Sequence, residues 1–218
     1  MNVWTYGRGS GKETSTRPHV HTSIHACLFL FVLTLTGLPL LPAQAQQRTE
    51  PFSWIALRVN GTSNVNRNFL HDFWKPGTGV EGSIASPFYL GFIEFGGAIH
   101  RYNAEQDVPG FGALWLYAGW GLGVDVAGRL RLESSARLGN YRMSFDTAET
   151  EFAGVANESE LAMMVTARVA VRMVGPVSIY ASGSYLQAYT FLRLKLWYAS
   201  AGLSFRLTTP DGLKDFLQ

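Results

Sequence analysis

One feature constrains the fold of this chain more than any other. Between Phe52 and Leu207, about eight strand-length segments alternate apolar and non-apolar residues, and the turns between them alternate long and short. The sixth segment is the cleanest. Leu161, Met163, Val165, Ala167, Val169, Val171 and Met173 fall on one face, while Glu160, Ala162, Met164, Thr166, Arg168, Ala170 and Arg172 fall on the other. A period of two puts each set on one side of a sheet. Eight such segments joined in sequence predict an all-β fold, an eight-stranded antiparallel up-and-down barrel.

The remaining segments repeat the pattern. The fifth sets Leu130, Leu132, Ala136 and Leu138 against Arg131, Glu133, Ser135 and Arg137. The fourth (111–124) sets Leu114, Leu116, Ala118, Trp120, Leu122 and Val124 against Gly119, Gly121 and Gly123. The third (89–101) sets Tyr89, Ile93, Phe95 and Ile99 against Glu94 and His100. The seventh (177–189) and eighth (194–207) behave alike, whereas the first (52–60) and second (78–85) alternate weakly. Short turns are expected at 85–88, 126–129 and 174–176, and longer loops at 61–77, 102–110 and 146–159. Outer-membrane barrels show this asymmetry of short turns at one end and long loops at the other, and a tilted crossing takes roughly 9–11 residues.

A leader precedes the strands. Arg8, Lys12 and Arg17 stand before an apolar run over 26–41, and Ala43-Gln44-Ala45 follows as a small-residue cleavage site. This pattern predicts an export signal over 1–45, cut after Ala45. The run is short of the roughly 20 residues of a spanning helix, and Gly37 and Pro39 interrupt it. The only cysteine, Cys27, leaves with the leader, so neither disulfide nor thiolate chemistry is expected. The remainder is near neutral, and no basic patch points to nucleic acid.

Alternation alone does not say which face is inside. A soluble barrel of the lipocalin kind buries its apolar face; a membrane barrel turns it outward. Charged residues are 16% of the chain, against roughly 25% for an ordinary soluble domain. The non-apolar face holds Gly, Ser, Ala and Tyr with scattered charges. Phe52, Trp54, Phe88, Tyr89, Tyr141, Tyr189 and Trp197 lie near segment ends, as interfacial girdles would. These features place the apolar face in lipid.

The last segment ends Ser200-Ala201-Gly202-Leu203-Ser204-Phe205-Arg206-Leu207. It resembles the β-signal of bacterial outer-membrane barrels: a polar residue, any, Gly, two of any, a hydrophobic, any, a hydrophobic. Ser200, Gly202, Phe205 and Leu207 carry the match. The resemblance implies recognition by the barrel assembly machinery. Family members often stop at the terminal aromatic; here 208–218 continue as a short tail, expected in the periplasm. The region 46–207 looks like the small barrels of the OmpA/OmpX type, which implies bacterial outer-membrane localisation among phospholipid and lipopolysaccharide.

Such a barrel is just wide enough to be filled by side chains. Glu81, Glu94, Arg131, Glu133, Arg137, Arg168, Arg172 and Arg206 are expected to face the lumen, and Arg58 joins them if the first strand faces the same way. Buried charges are costly unless paired, so a ladder of Arg–Glu pairs is expected. A closed polar core suits a structural or surface-interaction protein. Arginines outnumber glutamates on this face, which leaves a narrow anion-preferring pore as an alternative.

Two loops bear on function. The first carries Phe69, Phe73 and Trp74 among polar residues, as a contact for an external partner or as aromatics packed on their own rim. The third is acidic, with Asp146, Glu149, Glu151, Glu158 and Glu160. A lipid-modifying enzyme is a further alternative. The deacylases on small barrels place His and Ser two residues apart, whereas His100 is followed by Arg101 and Tyr102. His71-Asp72 is a weak triad fragment without an evident nucleophile. No residue pattern suggests a metal or cofactor, and no enzymatic activity is expected.

Overall fold

The computed structural model describes residues 50–105, 108–146, 157–189 and 193–212. The expected leader and cleavage site lie outside the described residues, as do Glu149 and Glu151. Among the described residues nine strands form: β1 Trp54–Asn64, β2 Trp74–Pro76, β3 Gly79–Phe88, β4 Gly91–Ala104, β5 Phe111–Ala127, β6 Leu130–Phe145, β7 Asn157–Arg172, β8 Val177–Ala188 and β9 Leu194–Thr208. Eight of them make the barrel. Around its wall they run β4, β3, β1, β9, β8, β7, β6, β5, and β5 pairs with β4 to close the ring. Every neighbouring pair is antiparallel. The first and last barrel strands meet in register from Trp54↔Thr208 to Asn64↔Tyr198. Closure gives each of the eight barrel strands a partner on both sides.

The alternation sorts as the lipid-facing reading requires. Leu57, Val80, Phe95, Leu116, Leu138, Leu161, Ile179 and Leu203, one from each barrel strand, are all exposed. Their alternate neighbours are buried, among them Arg58, Glu81, Glu94, Tyr117, Arg137, Ala162, Tyr180 and Ser200. The polar face therefore makes the core.

Several boundaries differ from the sequence reading. Residues 85–88, expected as a turn, belong to β3, which pairs on to Phe88↔Gly91; the reversal is at Tyr89 and Leu90. Pro87 looks like a turn residue, but the β1–β3 ladder stops at Ala56↔Ala85. Beyond that point β3 has no β1 partner, so the missing N–H of Pro87 breaks no ladder bond. β1 starts later than expected, because Phe52 has φ +57, and it runs on to Asn64. The polar run Gly61-Thr62-Ser63-Asn64 hides its final alternation. Inside loop 1 sit a short 3-10 helix, Phe69–Asp72, and β2, which pairs only with the end of β4.

Tyr141 is not part of an interfacial girdle. It is fully buried in the lumen, because its parity is opposite to that of the outward Leu138. Tyr89 and Tyr189 are exposed at strand ends.

Gly202 shows how tightly the wall and filling meet. A Cβ there would stand 2.1 Å from the Val59 carbonyl oxygen and 2.6 Å from Asn60 Cβ. Only a residue without a side chain fits this inward position on β9.

Candidate functional site

Period two aims Arg58 (β1), Glu81 (β3), Glu94 (β4), Glu133 and Arg137 (β6) and Arg168 (β7) at one another. Arg58 Nη1 donates to Glu94 Oε1 at 3.0 Å, and its Nη2 donates to Glu133 Oε1 and Oε2 at 3.1 and 2.8 Å. Arg168 donates to Glu133 Oε2 at 2.8 Å and to Glu94 Oε1 at 3.3 Å. Arg137 Nε donates to Glu94 Oε2 at 3.0 Å, and its Nη1 to Glu81 Oε1 at 2.8 Å. Neutral donors complete the set: Ser83 to Glu94 at 2.8 Å and Tyr117 to Glu81 at 2.7 Å. Each guanidinium also lies over an aromatic face, Arg58 on Phe92, Arg137 on Tyr117 and Arg168 on Tyr180, at 5.2, 4.7 and 5.0 Å. Such contacts add attraction where water is excluded.

Three arginines thus meet three glutamates, and the side chains of all six are 0–8% exposed. The core is charge-balanced. Such groups are tolerable in a low-dielectric interior only because each carboxylate is met by several donors.

Above this network, toward the long loops, the filling turns aromatic. Tyr102 stacks on Phe111 with centroids 4.5 Å apart, and Trp115 on Tyr117 at 4.3 Å. The Tyr102 and Tyr198 hydroxyls are 2.9 Å apart, and His100 lies against Tyr198 at 4.7 Å. Loop 1 folds onto this layer. Trp74 is buried, its Nε1 donates to the Pro109 carbonyl at 2.8 Å, and it meets Phe111 edge-on at 5.4 Å. Trp74, expected as a possible external contact, is turned into the mouth where β2 pairs with β4. Phe69 and Phe73 are half-buried against the same cluster. His71 serves the 3-10 helix. Its Nδ1 accepts from the Asn68 backbone N–H at 3.1 Å, and its Nε2 is 2.9 Å from Asn64 Oδ1. At the same end Arg101 pairs with Asp146 of the acidic loop.

Below the network, toward the short turns, the lumen opens into a recess of ≈ 190 Å³. Arg129, Arg131, Arg172 and Arg206 line it, with Asp125, Ser178, Ser204 and Tyr180. Arg131 bridges recess and core, donating to Glu133 Oε1 at 2.9 Å and to Asp125 Oδ2 at 3.0 Å. The Arg206 guanidinium lies 4.5 Å from the Trp54 ring centroid. Among the described residues, neither Arg172 nor Arg206 is ion-paired, so they stand apart from the core network.

The lumen residues were legible from parity alone, except Arg58, whose strand alternates weakly, and Asp125, which keeps the inward parity of Tyr117 but lies past the expected end of its segment at 124. The β-signal positions divide by the same parity. Ser200 and Gly202 face in; Phe205 and Leu207 are exposed outside.

No family model matches the sequence, and no curated protein matches it. Among solved structures, the N-terminal β-barrel domain of Pseudomonas aeruginosa OprF aligns at 16% identity and TM-score 0.46, over 72% of this chain and 99% of that one. Neisserial surface protein A aligns at 12% identity and TM-score 0.49, over 71% and 97%. Ail, the attachment invasion locus protein of Yersinia pestis, aligns at 16% identity and TM-score 0.45, over 71% and 99%.

Proposed function

We propose that this chain is an integral protein of the bacterial outer membrane, exported by its leader, with a sealed polar core and a structural or surface-interaction role. The carrying observation is the belt. All eight barrel strands expose large apolar side chains, including Val59, Ile84, Ile99, Trp120 and Leu132, at 43–65% exposure. A continuous apolar girdle of that kind is an aggregation liability in water and the expected surface in lipid. Outward-facing Arg101, Arg142 and Lys195 stand near the long-loop ends of their strands, outside this belt.

The filled cross-section favours a scaffold over a channel. A pore needs a wet path, and the Arg58–Glu133 contact crosses the lumen where one would run. The excess of arginine that suggested an anion path resides at the short-turn mouth, while the core is balanced. The long-loop end, capped by the Trp74 cluster and bearing Arg101, Asp146 and Lys195, is the surface offered to external partners and lipopolysaccharide.

Two readouts test this. Protein extracted from the outer-membrane fraction should migrate faster unheated than boiled, and in planar bilayers it should show no steady conductance. A single mobility from a soluble fraction overturns the membrane reading. Stable anion-selective channels in unmodified protein overturn the sealed core and restore the pore.

A further inference from the structure

The recess at the short-turn mouth carries a charge that the core does not need. Arg58, Arg137 and Arg168 are matched by Glu81, Glu94 and Glu133, and Arg131 reaches this network from below through Glu133. Immediately below, Arg129, Arg131, Arg172 and Arg206 face a single additional carboxylate, Asp125, whose side chain is 57% exposed. Like charges gathered in one concavity repel, and low-dielectric walls strengthen their field. Without a counter-charge, this placement costs stability.

The geometry is that of a receptor and not of a scattered basic surface. Parity aims Arg131, Arg172 and Arg206 inward from β6, β7 and β9, and Trp54 supports the Arg206 guanidinium on its ring face. The floor is closed by Arg58, Arg168 and Glu133, so an occupant enters and leaves by the same mouth. The recess of ≈ 190 Å³ has room for about six waters at roughly 30 Å³ each. A tetrahedral oxyanion fits within that space. Ser178, Ser204 and Tyr180 add hydroxyls to the wall.

We propose that this recess binds a phosphate group, carried by a soluble oxyanion or by a lipid headgroup. A phosphoryl group brings up to two negative charges and several acceptor oxygens to forked guanidinium donors, which pair with it bidentately. A single carboxylate would neutralise less of the excess. The recess takes its floor from the closed core and so rests on that reading, which conductance tests separately from phosphate binding.

The test uses the refolded mature chain and the variants Arg206→Gln and Arg172→Gln, both outside the core network. In zwitterionic detergent, inorganic phosphate is titrated and followed by phosphorus NMR and calorimetry. In parallel, nanodiscs of phosphatidylcholine with and without phosphatidylglycerol are used, and retained lipid is counted by native mass spectrometry. Each variant must keep the heat-shifted band of the folded barrel. Saturable phosphate binding that weakens about tenfold or more in each variant supports the proposal with a soluble source. Retention of one phosphatidylglycerol that both variants lose, without phosphate binding, supports it with a headgroup source. No saturable binding of either probe, or binding equal in the folded variants, overturns it.

Discussion

Arg58 Nη2 on β1 donates to both carboxylate oxygens of Glu133 on β6, at 3.1 and 2.8 Å, across the full width of the barrel. The two strands stand opposite in the ring, four places apart in either direction. One ion pair therefore spans the lumen and ties the two halves of the wall.

A double-mutant cycle measures that tie. Arg58→Leu and Glu133→Leu should each destabilise the refolded barrel, by about 3–5 kcal/mol where a buried charge loses its main partner. The double variant should lose less than the sum, with a coupling of roughly 0.5–3 kcal/mol. Urea unfolding in lipid vesicles gives the three values, and strictly additive losses would place the two residues apart.

Glu94 is the most heavily served carboxylate, with Arg58, Arg137, Arg168 and Ser83 all donating to it. Glu94→Leu removes a partner from three guanidinium groups at once, leaving Arg58 and Arg168 on Glu133 alone and Arg137 on Glu81 alone. It should be the most destabilising single change in the core, larger than Arg168→Leu, which leaves Arg58 and Arg131 on Glu133. If Glu94→Leu unfolds at the same urea concentration as the parent, the lumen assignment fails.

Gly202→Ala and Gly183→Ala separate packing from composition. A Cβ at 202 runs into the Val59 backbone, while one at 183 meets nothing within 4 Å. Refolding yield should fall sharply for the first and stay near the parent's for the second. Equal yields would remove the steric reason for the glycine in the terminal motif.

Phe205 is outward and exposed, so Phe205→Ala removes little of the core. Its heat-shifted band should fall in the outer-membrane fraction of cells while refolding in vitro is nearly unchanged. Equal loss in both would show a plain stability defect and no role in assembly.

The fold was legible because period two holds through most of the barrel strands: the inward set on β7, from Ala162 to Ala170, is the one that parity names. Legibility failed where the alternation fades. Pro87 reads as a turn by composition, yet sits where no neighbour needs its N–H. Trp74 reads as an exposed loop aromatic, yet a three-residue strand, unsupported by any periodic signal, turns it inward. Parity names who faces the lumen but not who reaches whom. The split between a balanced core and a basic mouth depends on strand stagger, which the sequence does not carry.

The orientation of the wall is the central claim, and β5 offers a direct test in two tryptophans of opposite parity. Trp120 is 46% exposed on the outer face, and Trp115 is 1% exposed in the lumen. Two variants, each keeping one of them with the other tryptophans changed to Phe, are refolded into bilayers containing brominated lipid. The account predicts strong quenching of Trp120 and little of Trp115. Quenching of Trp115 with Trp120 spared would contradict it, because the apolar face would then be the interior.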